Sequence, residues 1–590
     1  MVLGEQTVEA DSGPVPGRRL PRLPGRRTVL AALLAVLAVV VVYCCALREA
    51  GHVVTESDAA SMAMQGWAMA HGNPLLHGWK LADVSFYSIE VPLYALAGLI
   101  FGLRPDIVPV VAAATFTILV VLAAFVARGR SRGLAGAAAT GLAVAIMAGP
   151  ALPTAGLLIA LPDHTGTAIV PLVLALVIDW WSKDKAGRGW RTAAAVCVVL
   201  AWGLIEDPLI LPIGVIPVVL VCLARSWRYR DARPELALAG GAVASLVLFA
   251  LVKEAIRALG GWQLDGYGNQ VIPGQAMGAN VGGTLQAFLH LYSASFFEDK
   301  LGLGLALTAI HLVLAALVLI AGWIALRRLF FSGDLVAVLL AAGILANLAA
   351  YFFLYIAPSN GQDITPVFAM GAALAGRVLG GPLARAWQDG SLWGTWRVGG
   401  LHSPLATPRT GLHSPPATPR TGLHSPPATP GTSPRGAWLL VAAWAAVVLV
   451  VSVPPLVKAK PVAPDNAVLA SWLMAHGLHS GISQYWQANS VMLDTGDKVT
   501  LRQGWDYGTE GGVRPYPWEE DTSLLNPATN YANFVISAKH SGLPVASIEK
   551  TFGAPAQVYT VSTFTILVYN RNLLPGWSSL HAPYPSPISF

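Results

Sequence analysis

Long apolar runs alternate with short polar breaks along most of the chain, and the length of each run decides what it can form. Runs near 29–47, 107–127, 134–157, 167–181, 192–206, 208–224, 235–256, 302–326, 334–356, 364–380 and 437–455 approach or exceed the roughly 20 residues with which a helix crosses about 30 Å of hydrocarbon. One further stretch, Glu90–Leu103, has 14 residues and opens with Glu90 and Pro92. At 1.5 Å per residue it is about 21 Å long, too short to cross. It is expected to lie along the outer surface, which leaves eleven transmembrane helices in a mainly α, polytopic chain.

Basic residues test that choice. With Glu90–Leu103 kept out of the membrane, the N-terminal arginines and the loops holding Arg128/Arg130/Arg132, Lys183–Arg191, Arg225–Arg233, Arg327/Arg328 and Arg385–Arg435 fall on one side. That side holds 23 basic residues, and the loops between spans on the other side hold five: Arg48, Lys80, Arg104, Arg257 and Lys300. Such a bias marks the cytoplasmic face. The expected order is a cytoplasmic tail at 1–28 and a membrane domain at 29–380 whose first outer loop is 48–106. A cytoplasmic linker at 381–436, a last span at 437–455 and an extracytoplasmic domain at 461–590 follow. The run from Val29 to Leu47 has no A-x-A site after it and is expected to be retained as a span.

The linker holds an 11-residue tandem repeat, GLHSPLATPRT, GLHSPPATPRT and GLHSPPATPGT. Proline at this density with little apolar bulk suits a flexible polyproline-like segment. His402, His413 and His424 recur within it, but a metal site needs ligands converging from a folded frame. Beyond Lys460 the pattern changes. Asn466–His476 reads as a short helix, and Lys498–Arg502, Asn533–Ser537, Gln557–Val561 and Phe564–Tyr569 read as strands of a compact α/β domain.

Composition agrees: 54% hydrophobic and 12% charged residues, against about 25% charged in ordinary globular chains. The net charge of +6 follows from the loop arginines and carries no nucleic-acid signal. Cys44, Cys45, Cys197 and Cys222 all lie in apolar runs and are expected to be buried free thiols used in packing. No Gly-rich phosphate loop, Ser/His/Asp order or CxxC pair is present. The spans lack paired charges at mid-depth and no inverted repeat is evident, which disfavours a transporter.

Candidate chemistry gathers at the outer ends of the spans, where carboxylates are costly unless they face a polar cavity or one another. Glu56 and Asp58 follow the first span in TESDAASMAMQGW, and Asp163 and His164 follow the third in LPDHTG. Ala60, Met64, Trp67 and Ala68 give the first loop an amphipathic face, so that it caps the spans. A carboxylate under such a lid could work as a general base. Glu206/Asp207 and Glu298/Asp299 read instead as solvated span ends. Lys80, Arg104, Arg257 and Lys300 are the scarce outer cations, with Lys253 near its span end. In the C-terminal domain Trp472, Tyr485, Trp486, Trp505, Tyr507, Tyr516 and Trp518 suit either a carbohydrate surface or a small core.

This arrangement resembles the GT-C glycosyltransferases, and within them the branch of protein O-mannosyltransferases and aminoarabinose transferases. The segments NPLLHGWKLADVSFYSIEVPLYALAGLIFG, LPDHTGT and ASWLMAHGLHSGISQYWQANS are also similar to actinobacterial membrane proteins of the same plan. The resemblance implies inverting transfer of a sugar from a polyprenyl-phosphate donor to an acceptor hydroxyl of a glycan, lipid or protein on the outer face. It implies a first-loop acid acting as base or metal ligand at Asp58 or Glu56 and a second-loop acid at Asp163. His164, Lys80, Arg104, Arg257 and Lys300 are then the expected donor-binding groups, and Mg²⁺ or Mn²⁺ the expected ion if one assists. The first motif here is Glu-Ser-Asp rather than an adjacent acidic pair, and His164 stands where an Arg is usual. A non-catalytic member of the same architecture, binding or scaffolding the cell envelope, is the other reading.

Overall fold

The computed structural model describes residues 26–52, 57–148, 150, 154, 156–160, 164–181, 189–228, 232–264, 274, 277–295, 303–329, 333–354, 361–388, 465–508, 512–539 and 543–580. The chain is a multi-pass membrane protein with eight described helices long and apolar enough to cross a bilayer. In chain order the membrane half runs α1 (Arg26–Ala50), α2 (Ser57–Ala70), β1 (Trp79–Leu81), α3 (Glu90–Phe101), α4 (Ile107–Arg128) and α5 (Gly133–Met147). It continues with α6 (Ile169–Trp181), α7 (Gly189–Glu206), α8 (Ile216–Arg228), α9 (Arg233–Ala258), β2 (Gln263–Leu264) and α10 (Met277–Leu291), then α11 (Leu303–Arg327), α12 (Leu335–Leu354) and α13 (Pro366–Gln388). The expected third and fourth spans appear as the shorter apolar helices Gly133–Met147 and Gly166–Trp180. The eleventh expected run, 437–455, and the repeat linker lie outside the described residues.

Small residues set the closest helix packing. On α13, Gly376 and Gly380 are four apart, and a Cβ on Gly380 would sit 2.5 Å from both Cα and Cβ of Ala139 on α5. This small-xxx-small spacing lets backbones approach and replaces a hydrophobic force that lipid does not supply. Away from such contacts α1 turns Leu33, Val36 and Leu37 outward, as a lipid-facing helix should. Of the cysteines only Cys222 is buried; Cys44 is exposed and Cys45 and Cys197 are half-buried, so thiol packing holds for one of the four.

The C-terminal domain comprises α14 (Asp465–Ala475), β3 (Ser480–Ser483), α15 (Tyr485–Asp494), β4 (Thr500–Asp506), β5 (Val513–Pro515), β6 (Glu520–Asp521), β7 (Phe534–Ala538), α16 (Val545–Phe552), β8 (Gln557–Val561) and β9 (Phe564–Val568). Its six-stranded mixed sheet runs β5-β4-β3-β7-β9-β8. β3 pairs in parallel with β4 and β7, and the β8–β9 hairpin pairs antiparallel. Ile482, Phe534, Ile536, Ile566 and Leu567 fill the two faces of the sheet.

A second, three-stranded sheet joins this domain to the membrane half in the order β2-β1-β6. Lys80 of β1 is opposite Gln263 on one side and Glu520 on the other. The Thr522 amide donates to the Gly78 carbonyl at 2.9 Å. The first long loop, the segment after α9 and the C-terminal domain therefore share one face of the membrane.

α3 has both ends on that face. At its start, the Ser88 amide donates to Glu206 at the end of α7. Beyond its end, the Leu103 carbonyl lies against Gly496 of the C-terminal domain, 3.3 Å from where a Cβ would stand. Twelve residues with Leu96, Leu99, Ile100 and Phe101 exposed make a helix lying at the boundary with its apolar side toward lipid.

At the opposite face, Arg377 of α13 donates to Asp179 at 3.0 Å and 3.2 Å, to Asp334, and to the Val126 carbonyl at 2.9 Å. Arg130 also meets Asp179. This ion cluster ties the ends of α4, α6 and α12 to α13. Arg377 sits inside an apolar run in the sequence, and its ion pairs are made at the helix ends rather than at mid-depth.

Candidate functional site

Two acidic centres lie on the face of the C-terminal domain. The first is built on Asp58, in the first turn of α2, where a negative charge is favoured by the helix dipole. The Ser57 hydroxyl donates to the Tyr485 carbonyl at 2.6 Å, which sets α2 against α15. The Tyr485 hydroxyl donates to Asp58 Oδ1 and reaches Glu519 Oε2 at 2.8 Å. Glu519 is buried and adopts a positive φ of 48°, a region that non-glycine residues occupy rarely. Its carbonyl accepts from Ser61 at 3.2 Å and Asn489 at 3.4 Å. Burial first, then the two carboxylates, push the Tyr485 hydroxyl well above the usual tyrosine range, so it remains a donor. Asp58 keeps partial exposure.

The second centre surrounds His164. Its backbone is left-handed at φ 52°, which turns the imidazole inward from LPDHTG. Nδ1 lies 2.6 Å from Asp207 Oδ2 and Nε2 lies 3.5 Å from Asp363 Oδ1. The edge of Phe86 meets the ring at 5.8 Å between centroids. Asp207 also accepts from the Thr167 hydroxyl and from the Leu209 amide at 2.8 Å. Asp83 completes the group. It opens to solvent on one side, but the protein packed around its other sides pushes its carboxyl up; His164 opposes this, and Asp363 and Asp207 add to it. An imidazole between two carboxylates can donate from both nitrogens only as imidazolium.

Behind this centre lies a buried acid pair. Glu206 accepts from the Ser88 amide at 2.6 Å and the Ser88 hydroxyl at 2.8 Å, with the Glu90 amide at 3.4 Å. It thereby caps the start of α3 from a neighbouring helix. Glu90 is fully buried and its carboxyl lies against Gly166. Burial, reinforced by the adjacent Glu206, raises Glu90 well above the usual carboxylate range. The expectation that Glu206 and Asp207 are solvated span ends is overturned: both have 0% exposure. An acid pair at a predicted span end, without a basic neighbour in sequence, was the only signal they gave.

Other expected residues fall in several places. Glu56, Asp163, Lys300, Glu298 and Asp299 lie outside the described residues. Lys80 is half-buried in the middle of the three-stranded sheet. Arg104 pairs with Asp106, and Arg257 pairs with Glu254 at 3.5 Å, all four side chains well exposed. Neither arginine is directed at the two centres through these pairs. The amphipathic first-loop helix exists as α2, but it is buried on most of its surface rather than on one face. Gly66 allows this, since a Cβ there would stand 2.6 Å from Tyr94 Cβ on α3. Of the aromatic set, Tyr485 and Tyr516 are buried while Trp472, Trp486, Trp505, Tyr507 and Trp518 are half-buried. Tyr485 serves the first centre, a role its position in sequence does not reveal.

The donor chemistry at His164 is oxygen-rich, yet both ring nitrogens already face carboxylates. Among the described residues no group of three or more His, Cys, Asp or Glu is arranged to hold a metal ion. The described side chains alone therefore supply no set that fits Mg²⁺ or Mn²⁺.

No family model matches the chain, and no curated protein matches it by sequence. Solved structures do. ArnT from Cupriavidus metallidurans in the apo state aligns over 92% of this chain and 98% of that chain, at TM-score 0.52 and 14% identity. The same protein bound to undecaprenyl phosphate aligns over the same shares at TM-score 0.45 and 13% identity. An Archaeoglobus fulgidus oligosaccharyltransferase tethered with an acceptor peptide aligns over 85% of this chain and 69% of that chain, at TM-score 0.42 and 12% identity. Over most of its length, the chain shares the fold of ArnT, the GT-C fold.

Proposed function

We propose that the protein is a membrane glycosyltransferase that moves a sugar from a polyprenyl-phosphate donor to an acceptor hydroxyl on the extracytoplasmic face. One observation carries this reading: a half-buried carboxylate, Asp58, anchored by Tyr485 where the first loop meets the C-terminal domain. The GT-C fold supplies the frame. A carboxylate held this way is suited to act as general base.

In the proposed step Asp58 takes the proton of the acceptor hydroxyl. The freed oxygen attacks the anomeric carbon and forms the new glycosidic bond. The bond from that carbon to the donor phosphate oxygen breaks, and the polyprenyl phosphate leaves with the electron pair, inverting the anomeric centre. His164, oriented by Asp207 and Asp363, is the proposed orienting group for the donor, with Asp163 beside it in sequence. Lys80, Arg104, Arg257 and Lys300 remain proposed phosphate contacts at the membrane boundary. Glu56 is the proposed alternate base.

The decisive experiment follows label from polyprenyl phosphate carrying a tritiated sugar into acceptor in membranes. Wild type should transfer it, and Asp58→Asn combined with Glu56→Gln should not, at equal membrane expression. Undiminished transfer by the double variant would refute the base assignment. Binding of the lipid without sugar release by wild type would favour the scaffold reading.

A further inference from the structure

We infer that Tyr485 and Glu519 of the C-terminal domain are positioning residues for Asp58, so that the domain completes the catalytic site rather than only covering it. This rests on the proposed role of Asp58 as base. In sequence, Tyr485 lies 427 residues from Asp58. In space, its hydroxyl hydrogen is shared between Asp58 Oδ1 and Glu519 Oε2.

The arrangement is built from both sides. Tyr485 is held through its carbonyl by Ser57, the residue before Asp58. Glu519 is held through its carbonyl by Ser61, one turn farther along α2, and by Asn489, one turn beyond Tyr485 on α15. Gln65 donates to Ser61 at 3.0 Å and extends the contact up the same helix face. Two short helices and the backbone at Glu519 thus fix three side-chain oxygens at one point. A carboxylate with one oxygen anchored to a buried phenol has a restricted rotamer and presents its other oxygen in one direction. General-base catalysis requires that restriction, because a misplacement of about 1 Å can cost on the order of 100-fold in rate.

Glu519 sharpens the geometry. A phenol offers one hydrogen, and Glu519 Oε2 at 2.8 Å is its second acceptor, so the hydroxyl is fixed between the two carboxylates. Its left-handed backbone directs both the carbonyl and the side chain into the joint. The device also couples sugar transfer to docking of the C-terminal domain: when β6 separates from β1, Tyr485 leaves Asp58 and the base loses its orientation.

The test compares wild type, Tyr485→Phe, Glu519→Ala and Glu519→Gln in full-length protein. The substrate probe is undecaprenyl phosphate carrying a tritiated hexose, with mannose, glucose and galactose tried separately. Tyr485→Phe should lower kcat about 100-fold while KM for the lipid stays within about twofold, because the lipid contacts remain. Glu519→Ala should lower kcat about tenfold, the worth of one hydrogen bond, and Glu519→Gln, which keeps an acceptor oxygen, should restore most of it. A Tyr485→Phe enzyme with wild-type kcat, or one whose loss lies wholly in KM, overturns the inference.

A second readout needs no turnover. Tyrosinate absorbance, taken as wild type minus Tyr485→Phe, should stay flat through pH 10 because of burial and the flanking carboxylates. Its onset should move down when Asp58→Asn and Glu519→Gln are combined, while burial still keeps it above the usual tyrosine range. Ionisation of Tyr485 near pH 10 in wild type refutes the shared-hydrogen geometry whether or not any hexose is transferred. Intact transfer in the Asp58→Asn, Glu56→Gln variant, by contrast, sinks the function proposed above and leaves the titration result standing.

Discussion

Glu206 receives the Ser88 amide at 2.6 Å and the Ser88 hydroxyl at 2.8 Å. The end of one membrane helix thus holds the start of the surface helix α3 in place. The carboxylate is fully buried, and hydrogen bonds to a charged group contribute about 1.5–3 kcal/mol each. Glu206→Ala removes the acceptor and strands a buried amide. We expect a stability loss of about 3 kcal/mol, read as a lower melting temperature in detergent, with new chymotrypsin cleavage after Tyr87, just ahead of α3. Glu206→Gln keeps an oxygen acceptor and should lose less. An alanine variant that melts with wild type would show that α3 is held by its apolar contacts alone.

Gly166 makes room for the Glu90 carboxyl. A Cβ at this position would overlap that buried carboxyl, which would have to shift. Overpacking of this kind costs about 1–3 kcal/mol. Gly166→Ala should reduce the folded yield in fluorescence-detected size exclusion. His164→Gln leaves that packing intact, so it should fold like wild type and lose transfer instead. Equal yields for Gly166→Ala and wild type would mean the Glu90 pocket is looser than its geometry indicates.

The long apolar helices, the short α3 and four strands of the C-terminal sheet were legible because each depends on local pattern. Run length alone kept Glu90–Leu103 out of the membrane, and alternation marked β7 through β9. β3 escaped notice because SGIS is four residues with one large apolar side chain, and its burial comes from neighbours on both sides. Arg377 was hidden inside an apolar run, since its partners Asp179 and Asp334 lie on other helices. The site was legible only in outline. Asp58 and His164 drew attention as polar groups at span ends, whereas Asp83, Asp207, Asp363, Tyr485 and Glu519 become significant only when distant segments meet. Glu206 and Asp207 were misjudged because sequence shows a charge at a span end but not the cap or the histidine it serves.

Acidity should reach the joint between the two halves through Glu520. Burial pushes its carboxyl up to about 8, against the opposing effects of the Gln503 amide and Arg502. An unfolded glutamate ionises near 4.3, so between those values the folded protein binds the extra proton. Stability is therefore greatest below the lower value and declines as pH rises toward about 8. Asp494, raised to about 6 by burial, adds a decline in the lower part of that window. The melting temperature should fall from pH 5 to pH 9, and Glu520→Gln should flatten the upper part of the curve while keeping the acceptor for Gln503. An unchanged slope in that variant would assign the pH dependence elsewhere.

A membrane orientation is predicted by combining charge with the contact between Leu103 and Gly496. That contact requires the end of α3 and the C-terminal domain to share a face, and the basic loops are expected to place Ser131 on the other. The bias of 23 basic residues to five predicts that the Ser131 side is cytoplasmic. In a background with the four native cysteines replaced, single cysteines at Arg104, Thr529 and Ser131 report all three positions; each of these residues is exposed. A membrane-impermeant maleimide should label Arg104→Cys and Thr529→Cys on intact cells, and Ser131→Cys only after permeabilisation. With His71→Cys added as an exposed probe ahead of α3, labelling of His71→Cys and Arg104→Cys from opposite sides would mean that α3 crosses the bilayer, which would separate Asp58 from Tyr485 and remove the proposed base from its anchor.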